Sequence, residues 1–186
     1  MSHIPSISFS HLGIYVRGIE RMVDFYTRFL GFHITDRGTL PLPGTPQIVF
    51  LSRDPNEHHQ IALVSGREAT GGSTVNQISF HLRSLVDLRR LYAALQEEPG
   101  LGPTFPLNHG TAWSVYTHDP EGNMLEFFVE TPWYVPQPVA DPLDLSQSDE
   151  EIARTTEASY EGRPGFQPIE QWRRTFARQL GPGGDH

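Results

Sequence analysis

The sequence predicts an α+β fold. Two βαβββ modules supply a curved mixed sheet, an open barrel, and a C-terminal tail with a short helix follows them. Three observations lead there. The order strand, helix, three strands is read twice along the chain, and a repeat at this scale means two similar units burying a shared core. The 186 residues suffice for one sizeable domain or two small fused modules. After residue 131 the run "ETPWYVPQPVADP" becomes proline-rich, which ends a sheet. The paired modules therefore occupy 1–131, at about 6–65 and 76–131, and the tail occupies 132–186.

The elements follow in order. "SISFSHLGIYV" (6–16) alternates as a strand, with Leu12, Ile14 and Val16 on one face. "GIERMVDFYTRFLGF" (18–32) sets Ile19, Met22, Phe25, Tyr26 and Phe29 at helical spacing, and Gly31 is the stop. "FHITDRG", "QIVFLSR" and "HHQIALVSG" are strands, parted by "LPLPGTP" and "DPNE". "REATGGSTV" reads as a linker. The pattern then returns with strand "NQISFHLRS" (76–84), amphipathic helix "LVDLRRLYAALQEE" (85–98), and strands "GPTFPLN", "TAWSVYTHD" and "NMLEFFVET". The repeat is visible in residues too: "SHLGIYV" sets a histidine before a leucine, and so does "SFHLRSL". In the tail, Ser148 and Glu151 form a capping box that opens a short helix, the proline-rich run wraps the surface, and "GPGGDH" is expected to be disordered.

Composition narrows the function. A formal net charge of -8 argues against nucleic acid or anionic membrane as main partner. With no cysteine, disulfides, thiolate nucleophiles and thiolate-bound metals are excluded. No run approaches a membrane span and the N-terminus lacks a secretory layout, so the expectation is a cytoplasmic protein. Nine histidines leave imidazole and carboxylate as the available metal ligands, which suits Fe, Mn, Zn or Ni.

Strand parity sorts the polar residues. Ile78, Phe80 and Leu82 share one face, and Gln77, Ser79 and His81 the other. His11 lies opposite Leu12 and Ile14. Glu126 interrupts the apolar run "MLEFFV" and lies opposite Leu125, Phe127 and Val129. A buried carboxylate needs a partner or a metal. His11, His81 and Glu126 thus project away from the helix-covered side. Two histidines and one carboxylate are the facial arrangement suited to non-haem Fe(II) and oxygen. A hairpin centred on Glu121 pairs Tyr116 with Glu126, so a phenol lies beside the carboxylate. One of His58 and His59 also faces inward. His3, His33, His118 and His186 read as surface, loop or terminal residues.

The phrase "HGTAWSVYTHDPEGNMLEFF" resembles the last-module signature of type I extradiol ring-cleaving dioxygenases, within the vicinal oxygen chelate superfamily that also holds glyoxalase I and the bleomycin- and fosfomycin-resistance proteins. The resemblance covers residues 6 to about 131. It implies His11, His81 and Glu126 as metal ligands, His59 as the acid–base histidine, and His109 with Tyr116 as a second pair around the metal. It further implies Fe(II), with Mn(II) possible, acting on a catechol and O2, and a role in aromatic hydrocarbon catabolism. A homo-oligomer is expected. The chain has one pair of modules where many extradiol enzymes have two. Two other classes share the fold. A glyoxalase-type isomerase takes a fourth ligand, a carboxylate in the first module, and "HHQIALV" contains none. A non-catalytic drug-binding resistance protein has no need of the metal positions.

Overall fold

The structure is a computed structural model, and it describes residues 8–70 and 73–180. His3, His186 and the segment "GPGGDH" lie outside the described residues. Two compact units are present. One runs to Thr74 and includes Asp119–Gly122; the other takes Val75–His118 and everything from Asn123 onward, the tail included.

In the first unit β1 (Leu12–Val16), β2 (His33–Thr39), β3 (Gln47–Ser52) and β4 (Ile61–Ser65) form a mixed sheet in the order β1-β4-β3-β2. The module's first strand lies parallel to its last, and the other pairs are antiparallel. Helix α1 (Ile19–Asp24) buries Ile19, Met22 and Val23. The sequence predicts one helix over 18–32, but the α-helix stops at Asp24 and a π-helical turn carries Phe25–Phe29. The wider turn accommodates two adjacent buried aromatics, Phe25 and Tyr26. Gly31, at φ 71°, then ends the helical stretch. Gly18 offers no side chain to cap α1. Glu121 does so instead, its carboxylate accepting from the backbone N–H of Arg17 at 2.8 Å and of Gly18 at 2.6 Å.

The second unit repeats the plan. Strands β5 (Ile78–His81), β6 (Phe105–Asn108), β7 (Ala112–His118) and β8 (Met124–Glu130) again place first beside last in parallel. Helix α2 (Leu85–Glu97) starts at Ser84, whose hydroxyl accepts from the Asp87 N–H, and buries Leu85, Leu88 and Leu95. The apolar face of β8, Leu125, Phe127 and Val129, is buried as the alternation requires.

The tail belongs to this unit's core. After β9 (Trp133–Tyr134), strand β10 (Asp141–Pro142) extends the sheet by pairing with β6, giving the order β10-β6-β7-β8-β5. Helix α3 (Asp149–Tyr160) is capped by the Ser148 hydroxyl on the Glu151 N–H. Val135, Val139 and Tyr160 form a buried cluster. Thr156 Oγ1 accepts from both Asn108 Nδ2 and Trp113 Nε1 at 2.9 Å. β11 (Gln167–Pro168) pairs with β9 and leads into α4 (Ile169–Leu180).

Candidate functional site

β7 and β8 are antiparallel, and their register pairs Tyr116 with Glu126 and Ser114 with Phe128. Glu126 thereby turns its carboxylate away from the α2 side, among polar groups of neighbouring strands. Oε1 accepts from the Tyr116 hydroxyl at 2.6 Å and from Ser114 Oγ at 2.8 Å. Oε2 accepts from Gln77 Nε2 and from Ser79 Oγ, each at 2.6 Å. Both oxygens are thus hydrogen-bonded twice, and all of these donors are neutral.

Tyr116 also meets His109, whose Nε2 is 3.0 Å from the phenol oxygen. His109 Nδ1 bonds the carbonyl oxygen of Val139. A carbonyl only accepts, so Nδ1 carries the hydrogen. The phenol has one proton and gives it to the nearer acceptor, Glu126. A full bond between His109 and Tyr116 then forms when Nε2 carries a hydrogen as well. Burial, reinforced by the hydrogen bond to Glu126, pushes the Tyr116 phenol well above its usual range. It stays a phenol at any physiological pH.

The row Glu126, Tyr116, His109 lies on the wall of a cavity of about 490 Å³, whose lining also includes Ala112, Phe128, Pro138 and Val139. The size and the mostly apolar wall suit a small aromatic molecule. The tail supplies part of that wall and also fixes His109. Gln137 Nε2 donates to the His109 carbonyl at 2.7 Å. Gly110, beside His109, has φ 72°, and a Cβ there would come within 2.5 Å of Val135.

In the first unit, His11 and His59 lie ring to ring with centroids 4.1 Å apart. His59 also packs on Phe50, at 4.7 Å. Partial burial lowers the His59 pKa, and the neighbouring His11 and His58 lower it further. His58 faces Asp36, with Nε2 3.1 Å from Oδ2. Of the two adjacent histidines, His59 is the one beside His11.

One equivalence expected from the sequence is corrected by the registers. Leu12 pairs with Ile61 in the first module, and Ile78 pairs with Leu125 in the second. Leu12 and Ile78 therefore hold matching places, so His11 matches Gln77, and His81 matches Tyr15. The sequence comparison rested on a shared His-Leu pair, whereas the fold matches apolar faces: Leu12, Ile14 and Val16 against Ile78, Phe80 and Leu82. His81 pairs with Phe128 and lies tilted against its ring, centroids 5.2 Å apart. Gln77, Ser79, Ser114, Gln137 and the Val139 carbonyl were not singled out from the sequence. For the first, matching the alternation rather than the identity would have found it. Among the described residues, no group of three or more His, Asp or Glu is placed to hold a metal ion.

Residues 8–127 match the Glyoxalase/Bleomycin resistance protein/Dioxygenase superfamily. The chain belongs to that superfamily. Biphenyl-2,3-diol 1,2-dioxygenase 2 of Rhodococcus globerulus is 26% identical over 169 residues, which cover 87% of this chain and 77% of the relative. Biphenyl-2,3-diol 1,2-dioxygenase 3 of the same organism is 29% identical over 127 residues, covering 65% of this chain and 62% of the relative. A superfamily protein from Frankia sp. EAN1pec shares the fold at TM-score 0.56 and 19% identity, over 68% of this chain and 94% of that one. The fosfomycin resistance protein FosX of Mesorhizobium loti does so at TM-score 0.51 and 21% identity, over 67% and 92%. At these identities the two structures speak for the fold alone. No helix among the described residues is long and apolar enough to cross a membrane.

Proposed function

We propose that this chain is an extradiol ring-cleaving dioxygenase, which opens a catecholic ring beside its two hydroxyls with O2 at a divalent metal, Fe(II) or Mn(II). The observation that carries the reading is the row Glu126, Tyr116, His109 on the wall of an apolar cavity. Likeness to two biphenyl-2,3-diol dioxygenases supports it. So does Ala62, which pairs with Gly13 as Glu126 pairs with Ser79. The first module thus has no carboxylate where an isomerase of this fold would add a ligand.

The residues present fit a divalent cation. Glu126 is buried, its hydrogen-bond donors are neutral, and its ion-pair partner among the described residues is the His109 ring, at 3.9 Å. A buried carboxylate with its charge so little balanced is what a cation would complete. Glu126 is the carboxylate ligand in this reading, and His11 an imidazole ligand. When bound, the ion would acidify the catechol hydroxyls and bring ring and dioxygen together.

The chain's own groups do the rest. Tyr116, held as a phenol, turns its one proton from Glu126 to a catechol oxygen that arrives beside that carboxylate. His109, with its Nδ1 hydrogen fixed on Val139, steadies negative charge at that oxygen through Tyr116. His59, its pKa lowered, is neutral near pH 7 and accepts a proton from substrate. Phe128, Ala112 and Val139 exclude water from the ring. The test is anaerobic loading with Fe(II), or separately Mn(II), addition of 2,3-dihydroxybiphenyl and simpler catechols, and then admission of O2. The expected result is a yellow ring-fission product and one O2 consumed per ring. No product with either metal across the panel would reject the reading.

A further inference from the structure

The residue that reaches Glu126 from the neighbouring strand is Gln77. Its Nε2 is 2.6 Å from Oε2, and the Ser79 hydroxyl meets the same oxygen. Gln77 stands directly before Ile78, the first paired residue of β5, as His11 stands directly before Leu12 in β1, and each lies seven residues ahead of its helix cap, Ser84 and Gly18. His81 lies four residues beyond Gln77 and two further along β5 than Ser79, the residue paired with Glu126, and so sits beside Phe128. Two residues along a strand is a displacement of about 6–7 Å.

We propose that Gln77, not His81, is the donor that strand β5 supplies beside Glu126 to a divalent cation. The proposal rests on Glu126 being a cation ligand, as in the reading above. The amide suits the role in a specific way. Its tip carries an N–H donor and a carbonyl acceptor at nearly the same place. With no cation present, Nε2 donates to the carboxylate. A half-turn of the same amide brings Oε1 to that position, and the group becomes an oxygen ligand. The turn gives up the Nε2 bond to Ser79 Oγ at 3.0 Å and the bond that Oε1 accepts from the neighbouring, exposed Asn76 at 3.2 Å; water can replace the second at little cost. Ser79 and Ser114 can remain on the carboxylate throughout.

The substitution has a consequence for metal choice. An amide oxygen is harder than an imidazole nitrogen and neutral, so it weakens the preference for Ni(II), Cu(II) and Zn(II) that nitrogen donors impose. A site with Gln77 holds Mn(II) and Fe(II) with less disadvantage against Zn(II) than one with histidine there. The Gln77→His variant should swing the balance back.

The experiment measures metal affinity of the full chain by equilibrium dialysis against Mn(II), Co(II) and Zn(II), with circular dichroism to confirm the fold of each variant. Gln77→Ala should weaken Mn(II) binding by about tenfold or more, the scale of a lost ligand or close support. His81→Gln should stay within about threefold of wild type. Gln77→His should tighten Zn(II) more than Mn(II) and change the Co(II) visible absorption, a readout that a purely structural role would not move. If His81→Gln loses metal while Gln77→Ala keeps it, the assignment is overturned. If wild type binds none of the three ions, Gln77 is only a hydrogen-bond partner of Glu126, and both this inference and the metal-dependent reading fall. If metal binds through Gln77 but no catechol is cleaved, the ligand assignment stands and the proposed activity alone fails.

Discussion

Tyr116 connects a carboxylate to an imidazole through a single hydroxyl, so removing that hydroxyl separates binding from chemistry. Tyr116→Phe leaves Glu126 with Ser114, Gln77 and Ser79. The lost hydrogen bond goes to a charged acceptor, so the variant should lose about 1.5–3 kcal/mol of stability in urea titration. Metal content should be retained and catechol turnover should drop. Wild-type turnover across several catechols would remove the phenol from the mechanism. The raised phenol pKa also sets an alkaline limit. A tyrosine whose folded pKa lies above its unfolded value of 10.0 contributes no penalty below that pH. Above it the unfolded chain ionises first and stability falls. Tyr160, raised by burial and by its bond to Asp141, acts in the same direction. Urea midpoints measured above about pH 10 should therefore decline, and less steeply for Tyr116→Phe. His59 works at the other end. Its folded pKa is lowered, so its contribution is full above the unfolded value near 6.5 and is lost as pH falls through the folded value. His59→Gln should flatten the acid limb of the stability profile. In turnover it should lose about a hundred- to ten-thousand-fold if the ring is the acid–base group. The paired His58→Gln should be near normal, since His58 faces Asp36. The reverse pattern would exchange their roles.

At the scale of elements, what could be read in advance depended on whether one periodicity spoke alone. The β7–β8 pairing was legible because both strands alternate and the turn centre is marked by "DPEGN", which fixes Tyr116 against Glu126. Helix α3 was legible from Ser148 and Glu151, though only half of the box closes: Ser148 caps the Glu151 N–H, while the Glu151 carboxylate goes to Arg154. Strand β5 misled because a residue identity, His-Leu, competed with the apolar alternation, and packing follows the alternation. The π-helical turn at Phe25–Phe29 could not be read, because buried aromatics at neighbouring positions fit a helical stripe as well. Helix α4 has no buried residue, so packing does not define it. Its signal is the i, i+4 pair Trp172 and Phe176, which stack at 5.2 Å, and Tyr134 also stacks on Trp172 at 5.0 Å. Thr156 could not be found from sequence at all, since a threonine inside a helix advertises no partner. Thr156→Val tests its role. It keeps the shape but takes the acceptor from two buried donors, Asn108 Nδ2 and Trp113 Nε1, and should cost about 2–4 kcal/mol of stability.

At the scale of the molecule, the tail was expected to wrap a finished body, and the structure makes it part of the second unit's interior. The question is where along the tail that dependence ends. Up to Tyr160 nearly every turn of chain is committed. Pro142 and Asp141 add a strand to β6. Leu143, Leu145, Ile152 and Tyr160 are buried. Arg89 of α2 donates to the carbonyls of Leu145 and Gln147, and the carbonyl of Val139 fixes the His109 ring. Beyond Tyr160, Arg163 lies over the Tyr160 ring and Phe166 packs on the buried cluster, and from there the commitments thin to the β9–β11 pair, the Trp172 stack and the exposed Arg173–Glu130 ion pair. Two truncations should therefore behave differently. Ending the chain before Ile169 removes surface contacts and should lower stability by no more than about 1–2 kcal/mol, since exposed ion pairs and stacks are each worth little. Ending it before Ala140 strips four buried apolar side chains, each worth about 1.5–3 kcal/mol. It also leaves Asn108 and Trp113 without their acceptor. The combined loss rivals the whole stability of a typical domain, about 5–15 kcal/mol. The longer truncation should give a second unit without a cooperative unfolding transition and without near-ultraviolet dichroism from Trp113. A shorter chain that unfolds like the full one would show that the sheet β6-β7-β8-β5 is self-sufficient, and that the tail serves the cavity wall alone.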